Sequence, residues 1–425
     1  MDRSLERAAV VGAGTMGTGI AMVFANAGIP VALTDSVPEA LERARATIDA
    51  TYRAAATKGR IDDAERTRRT AAIAVGDDLA IVRDADLIVE AVFEDLAIKR
   101  ALFERLDAVA GPATLLATNT SYLDVDAIAA AASHPERTLG LHFFSPAHVM
   151  KLVEVVRAAA TAPATIDRAL ELAHRLGKIA VVAGNCDGFI GNRMLLRYKR
   201  EAELLLEAGA TPAQIDGALR AFGFAMGPFA MSDLAGLDVG WRAKAARTAR
   251  GGLPFRQSEI PDRLVAAGRF GQKTAAGWYR YETGSRTPIA DKAVDAIVAA
   301  ERARLGTATR AITDDEIVDR CIYALVNEGA RLLGESVARS AADIDTVWLN
   351  GYGFPRDRGG PMQFADARGL DRVVGAIRRF GKADPVFWEP APALLDRAAR
   401  GEPFISHSPA GPTLGAVSFT KGLHR

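Results

Sequence analysis

Cysteine is nearly missing from this chain: Cys186 and Cys321 are the two present among 425 residues. So low a count excludes a disulfide framework and fits a reducing compartment. Long apolar runs are missing as well. None approaches the roughly 18 to 20 residues that a bilayer span requires, so no membrane insertion is expected. Neither sign of charge dominates, and a formal net charge of +1 gives no reason to expect nucleic acid or an anionic membrane as a partner. The first apolar strand begins within a few residues of Met1, which leaves no place for a leader peptide, and a cytoplasmic protein is expected. Lysine is scarce, ten of the 53 basic residues, so each lysine position carries more information. Of six histidines, His142 and His148 fall in one short segment.

What is present is an apolar content of 49% beside 25% charged residues, the balance of a folded globular chain. A length of 425 residues implies two or three domains. The first, residues 1–183, alternates strands and helices, which indicates an α/β Rossmann-type doubly wound parallel sheet. In AAVVGAGTMGTGIAMVFANAG (8–28) an apolar strand runs into a glycine-rich turn and a helix. Gly12, Gly14 and Gly17 fit GxGxxG, whose glycines permit a tight turn, close approach of a pyrophosphate and close helix packing. Alone that pattern is weak evidence. Here a second apolar run, IPVALTD, follows and ends at Asp35, where a carboxylate would accept from a ribose diol and repel a 2′-phosphate. NAD is therefore expected over NADP. Residues 36–70 read as helices ending in the charge-dense TKGRIDDAERTRRT, whose plain reading is a solvated hairpin. Two further strand-to-helix units, at 84–106 and 114–132, bring Glu94, Asn119 and Ser121 to the carboxyl edge of the sheet, where ligands bind.

The segment GLHFFSPAHVMKLVEVV (140–156) sets two histidines, a serine and a glutamate in apolar surroundings. LGLHFF and KLVEVVR read as strands around a Ser-Pro turn, and folding them back on each other brings Glu154 opposite His142. A carboxylate on one imidazole nitrogen fixes the tautomer and presents the other nitrogen as a proton acceptor. A histidine satisfied by a glutamate within a core is the plain alternative. The neighbouring dinucleotide turn and Ser121 favour a general base. His148, in the turn, is the weaker candidate.

From residue 184 onward amphipathic helices with Gly-Pro turns replace the strands, and this half repeats itself. IDGALRAFGFAMGPFAMSDLAGLD (215–238) resembles IDTVWLNGYGFPRDRGGPMQFADARGLD (344–371). Asp216 matches Asp345 (345 − 216 = 129), and Asp233 matches Asp366 (366 − 233 = 133). Two tandem all-α domains are expected, at 184–285 and 310–400, with a linker near 280–292 and a loose tail over 401–425.

Taken together, VGAGTMGTGIA, VEAVFEDLAIKRALFERLD, LATNTS, GLHFFSPAHVMKLVEVV, GNCDGFIGNRML and MGPFAMSDLAGLD resemble the 3-hydroxyacyl-CoA dehydrogenases. More narrowly, residues 6–400 resemble the dehydrogenase part of the multifunctional enzymes of fatty acid β-oxidation, without their enoyl-CoA hydratase domain. The resemblance implies NAD-dependent oxidation of (S)-3-hydroxyacyl-CoA to 3-ketoacyl-CoA. It implies His142 as base, Glu154 as its partner, and Ser121 and Asn192 as hydrogen-bonding partners of the reacting oxygen. Met16, Asp35, Glu94, Lys99, Ser121, Ser145 and Lys273 match cofactor positions beside the three glycines, while Thr51 and Lys58 correspond to a helical clamp over CoA. No metal is implied. Acyl-CoA is the expected partner, with separate hydratase and thiolase enzymes as further candidates and a monomer or homodimer as the assembly. Two other readings stay open: a Rossmann hydroxy-acid dehydrogenase with a lysine base, and a non-catalytic NAD-binding protein of the lens-crystallin kind.

Overall fold

In a computed structural model, residues 5–405 are described. Eight strands make one sheet: β1 (Ala8–Val11), β2 (Val31–Thr34), β3 (Ile73–Gly76), β4 (Leu87–Glu90), β5 (Leu115–Thr118), β6 (Thr138–Phe143), β7 (Leu152–Arg157) and β8 (Ile179–Gly184). Their order across the sheet is β3-β2-β1-β4-β5-β6-β7-β8. Every neighbouring pair is parallel except β6 and β7, the two strands joined by the Ser-Pro turn. Strands such as AAVV and LLAT are buried along their whole length, as a sheet covered on both faces requires. The covering helices are α1 (Thr15–Asn26), α2 (Pro38–Thr57), α3 (Asp63–Ala71), α4 (Leu96–Val109), α5 (Val125–Ala129) and α6 (Pro163–Arg175). The chain's direction across the sheet reverses between β1 and β4, and beyond the carboxyl ends of these strands lies the crevice where such folds hold ligands.

Helices follow, with no further strand among the described residues. The first copy contains α7 (Gly191–Ala208), α8 (Pro212–Phe222), α9 (Pro228–Ala235), α10 (Leu237–Ala249) and α11 (Ile260–Ala266), and α12 (Lys292–Leu305) bridges to the second. The second contains α13 (Asp314–Gly334), α14 (Ala341–Gly351), α15 (Pro361–Arg368), α16 (Leu370–Gly381) and α17 (Pro392–Arg400). Residues 321–330 of α13 are buried all round, the pattern of a helix enclosed by others. Leu152, Val156, Val181 and Ala183 of β7 and β8 belong to the same apolar core as Met194, Ile344 and Trp348, so the helical half is continuous with the end of the sheet. The second copy also caps that edge directly: Gly184 N donates to Val337 O at 2.8 Å, which covers backbone groups that an open edge strand would expose.

Two expectations change here. Tyr281, at the start of the expected linker, is buried, and its hydroxyl donates to Asp233 Oδ2 at 2.9 Å. The expected loose tail begins as packed chain: Phe404 is buried, and Phe404 N and Ile405 N donate to the Asp366 carboxylate at 2.8 and 2.9 Å. The rest of that segment lies outside the described residues.

Candidate active site

The glycine-rich turn has three glycines for three physical reasons. A Cβ at Gly17 would lie 1.7 Å from Gly12 O, and one at Gly12, whose φ is +106°, would lie 2.6 Å from Ala91 O. Gly14 differs: a Cβ there would meet nothing within 4 Å, so its outer side is open to a ligand. Gly14 also caps α1 with no side-chain hydrogen bond, which leaves the first N–H groups of that helix for an anion, with Met16 half-buried beside them. Asp35 Oδ2 accepts from Ala13 N at 2.7 Å and Oδ1 from Val37 N at 2.9 Å. These bonds hold the carboxylate at the end of β2 beside the turn, with acceptor capacity remaining for a diol. The donors and acceptors present fit a dinucleotide.

At the far side of the crevice the antiparallel register sets His142 against Glu154. His142 Nδ1 lies 2.7 Å from Glu154 Oε2, and Ser121 Oγ lies 3.2 Å from His142 Nε2. A carboxylate only accepts, so Nδ1 carries the proton and Nε2 is left as the acceptor facing Ser121. The pair is desolvated: His142 is 4% exposed and Glu154 0%. Glu154 Oε1 accepts from Ile190 N at 3.1 Å and Gly191 N at 2.9 Å, which ties the start of α7 to the pair and puts Asn192 in the next position. These donors compensate the burial of a charge that would otherwise be costly.

Glu94 organises the serine. Its Oε1 accepts from Thr120 Oγ1 at 2.6 Å, Ser121 N at 2.8 Å and Tyr122 N at 3.2 Å. Asn119 Oδ1 accepts from Phe143 N at 2.9 Å and joins the same loop to β6. The Lys99 ammonium is fully buried, 2.7 Å from Glu90 Oε1 and 3.4 Å from Glu94 Oε2, so it steadies Glu94 from beneath. An exposed ammonium would lose that pair, and the buried Glu90 would be left unpaired. His148 is not joined to Glu154. Its Nδ1 is buried without a partner among the described residues, and burial, then the Lys178 charge, lower its affinity for a proton.

The remaining positions scatter. Ser145 is exposed in the turn after β6. Thr51 is half-buried on α2, and Lys58 caps the same helix and is exposed. Lys273 pairs with Asp238 of α10 within the first helical copy. Asn192 Oδ1 accepts from the Tyr352 hydroxyl at 2.9 Å, a partner in the second copy that no motif indicated. Comparison of the repeats, FGF at 222–224 against YGF at 352–354, was the one signal for it.

A proton acceptor buried beside a dinucleotide crevice is the arrangement of a nicotinamide-dependent dehydrogenase, where a hydroxyl proton must leave as hydride does. The family description "3-hydroxyacyl-CoA dehydrogenase, NAD binding domain" matches residues 7–186. The companion C-terminal description matches 188–281 and again 317–402, so it fits both helical copies. The chain belongs to the 3-hydroxyacyl-CoA dehydrogenase family, and NAD is its cofactor. It is 45% identical over 421 residues to a peroxisomal bifunctional enzyme of Danio rerio, covering 95% of this chain and 57% of that one. It thus spans little more than half the length of that relative. Among solved structures, 3-hydroxybutyryl-CoA dehydrogenase from Escherichia coli K12 is 29% identical with a TM-score of 0.82, over 94% of this chain and 99% of that one. The dehydrogenase part of multifunctional enzyme 1 from C. elegans is 30% identical with a TM-score of 0.67, over 93% and 90%. The cytoplasmic expectation is corrected by these relatives, since the Danio rerio protein and others of its kind are named peroxisomal. Low cysteine reports a reducing environment and not a particular compartment.

Proposed function

We propose that this protein oxidises (S)-3-hydroxyacyl-CoA to 3-ketoacyl-CoA within fatty acid β-oxidation or related acyl-CoA metabolism. The observation that carries this reading is the Ser121–His142–Glu154 hydrogen-bonded chain at the rim of the dinucleotide crevice. Bound NAD supplies the hydride acceptor. His142 Nε2 takes the proton of the substrate 3-hydroxyl, and Glu154 stabilises the imidazolium that results. Ser121 Oγ, held by the Glu94 clasp on its own backbone, orients that hydroxyl toward the imidazole. Asn192 donates to the same oxygen from the start of α7. Gly12, Gly14, Gly17 and Asp35 hold the dinucleotide, while Thr51 and Lys58 of α2 meet the CoA moiety. A lysine-based dehydrogenase is disfavoured: the Lys199 ammonium lies near Gly240 of α10, 3.8 Å from where a Cβ would stand.

The test is NADH formation across 3-hydroxyacyl-CoA chain lengths with wild type and His142→Gln. The variant is expected to lose about 10²- to 10⁴-fold in turnover with NAD binding retained, the usual contribution of a general base. Wild type that binds NAD without oxidising any 3-hydroxyacyl-CoA, or a fully active His142→Gln, refutes the reading.

A further inference from the structure

The second helical copy touches the candidate site at Tyr352. Tyr352, just past α14, takes the place that Phe222 holds in the first copy. The Phe222 ring is absorbed by packing: Phe364 and Phe354 lie 5.2 and 5.8 Å away, and the Arg358 guanidinium sits over it at 4.1 Å. Tyr352 faces the sheet domain instead. Its ring stacks on Trp348 at 4.8 Å and meets Phe144 edge-on at 5.7 Å, and Phe144 lies 4.6 Å from the His142 ring. The hydroxyl that Phe222 lacks donates to Asn192 Oδ1.

That bond needs a close approach. A Cβ at Gly191 would lie 2.6 Å from the Tyr352 hydroxyl oxygen, so glycine at the start of α7 is what lets the phenol reach the next residue. Burial, and after it the Glu154 charge, raise the proton affinity of the phenol well above its ordinary value, so it stays a donor. A carboxamide has one acceptor oxygen and two N–H donors. With Oδ1 turned to the phenol, the Nδ2 group faces the other way. N–H donors help a reaction most where an oxygen gains negative charge, as the substrate oxygen does while it gives up its proton.

We infer that Tyr352 is a positioning residue supplied by the duplicated copy, holding the Asn192 amide with its N–H donors toward the reacting oxygen. This rests on the reading of Asn192 as a donor to that oxygen. Tyr352→Phe keeps the ring contacts and removes only the hydroxyl. Its kcat is expected to fall about tenfold, the scale of one hydrogen bond, with KM for NAD and the melting temperature unchanged. Asn192→Ala should be slower still, and Asn192→Asp equally slow, because aspartate keeps the acceptor for the phenol but has no N–H. The double variant Tyr352→Phe/Asn192→Ala should be no slower than Asn192→Ala alone. Wild-type kcat in Tyr352→Phe beside a slow Asn192→Ala overturns the inference and leaves the reading of Asn192 intact. So do effects that multiply in the double variant, or a Tyr352→Phe protein that loses its fold, since the hydroxyl would then act structurally. Wild-type kcat in Asn192→Ala removes the underlying reading, and the inference with it.

Discussion

In the first helical copy Glu201 of α7 receives Arg320 from the second, with Nη2 2.6 Å away; in the second, Glu328 of α13 receives Arg193 from the first at 2.5 Å. Both residues shift by the same number, 328 − 201 = 320 − 193 = 127, so α7 and α13 exchange equivalent ion pairs as two subunits do across a two-fold axis. Both glutamates are fully buried. Asp216 and Asp345 are likewise equivalent: each accepts two backbone N–H groups at the start of the following helix, Phe229 and Ala230 in one copy, Met362 and Gln363 in the other. The copies part company elsewhere. Asp216 has a third donor, the Tyr279 hydroxyl at 2.9 Å. Among the described residues Asp345 has none, and burial pushes its carboxyl up to about 7. Phe222 is packed away while its counterpart Tyr352 meets Asn192. The arginine–glutamate exchange between α7 and α13 is kept in both copies, whereas Tyr352 departs from Phe222 where the second copy meets the start of α7.

The largest effect should come from removing one side of this pairing. A chain ending before residue 310 would expose the buried face of α7, including Leu205 and Leu206, and would take Arg320 from Glu201. Light scattering is expected to show aggregation or new dimers; a soluble, active monomer would mean that the second copy does not cover the first. Next come the exchanged ion pairs. Glu201→Ala and Glu328→Ala should each cost about 3 kcal/mol in denaturant unfolding, because each removes a buried acceptor shared by two arginines, Arg200 and Arg320 in one case and Arg193 and Arg197 in the other. A large cost at one and none at the other would break the two-fold correspondence.

The smallest effect concerns pH. The folded-state value of Asp345 lies above its unfolded one, so the fold favours the protonated form. That contribution is fully present below the ordinary carboxylate range and is lost as pH rises through about 7. The melting temperature should therefore fall by about 2 °C more between pH 5 and 8 in wild type than in Asp345→Asn. Burial raises Asp216 as well, but three hydrogen bonds pull against it, so Asp216→Asn should change the slope less. Equal slopes in both variants would deny the third donor its role.

Local pattern made much of this molecule legible. The strand–glycine turn–helix at 8–28, the pairing of His142 with Glu154 and the internal repeat were all readable, because each rests on short-range periodicity or on a turn that dictates register. The burial of Lys99 was not legible for a physical reason: a motif gives a residue's position along the chain but not the face of the helix that the core encloses, and Glu90 beneath it decides that. Tyr352 escaped notice because its partner, Asn192, is 160 residues away.

What the order of residues determined by itself was the mostly parallel sheet, the glycine-rich turn, the histidine with its carboxylate and the existence of two helical copies. Those depend on neighbours within a strand, a turn or a helical period. Only the tertiary structure decided that the copies exchange arginines across α7 and α13, that Lys99 supports Glu94 from beneath, and that the second copy sends Tyr352 to Asn192. Such contacts join residues far apart in the chain, and they exist only once a shared apolar core has brought α7, α13, α14 and the end of the sheet together.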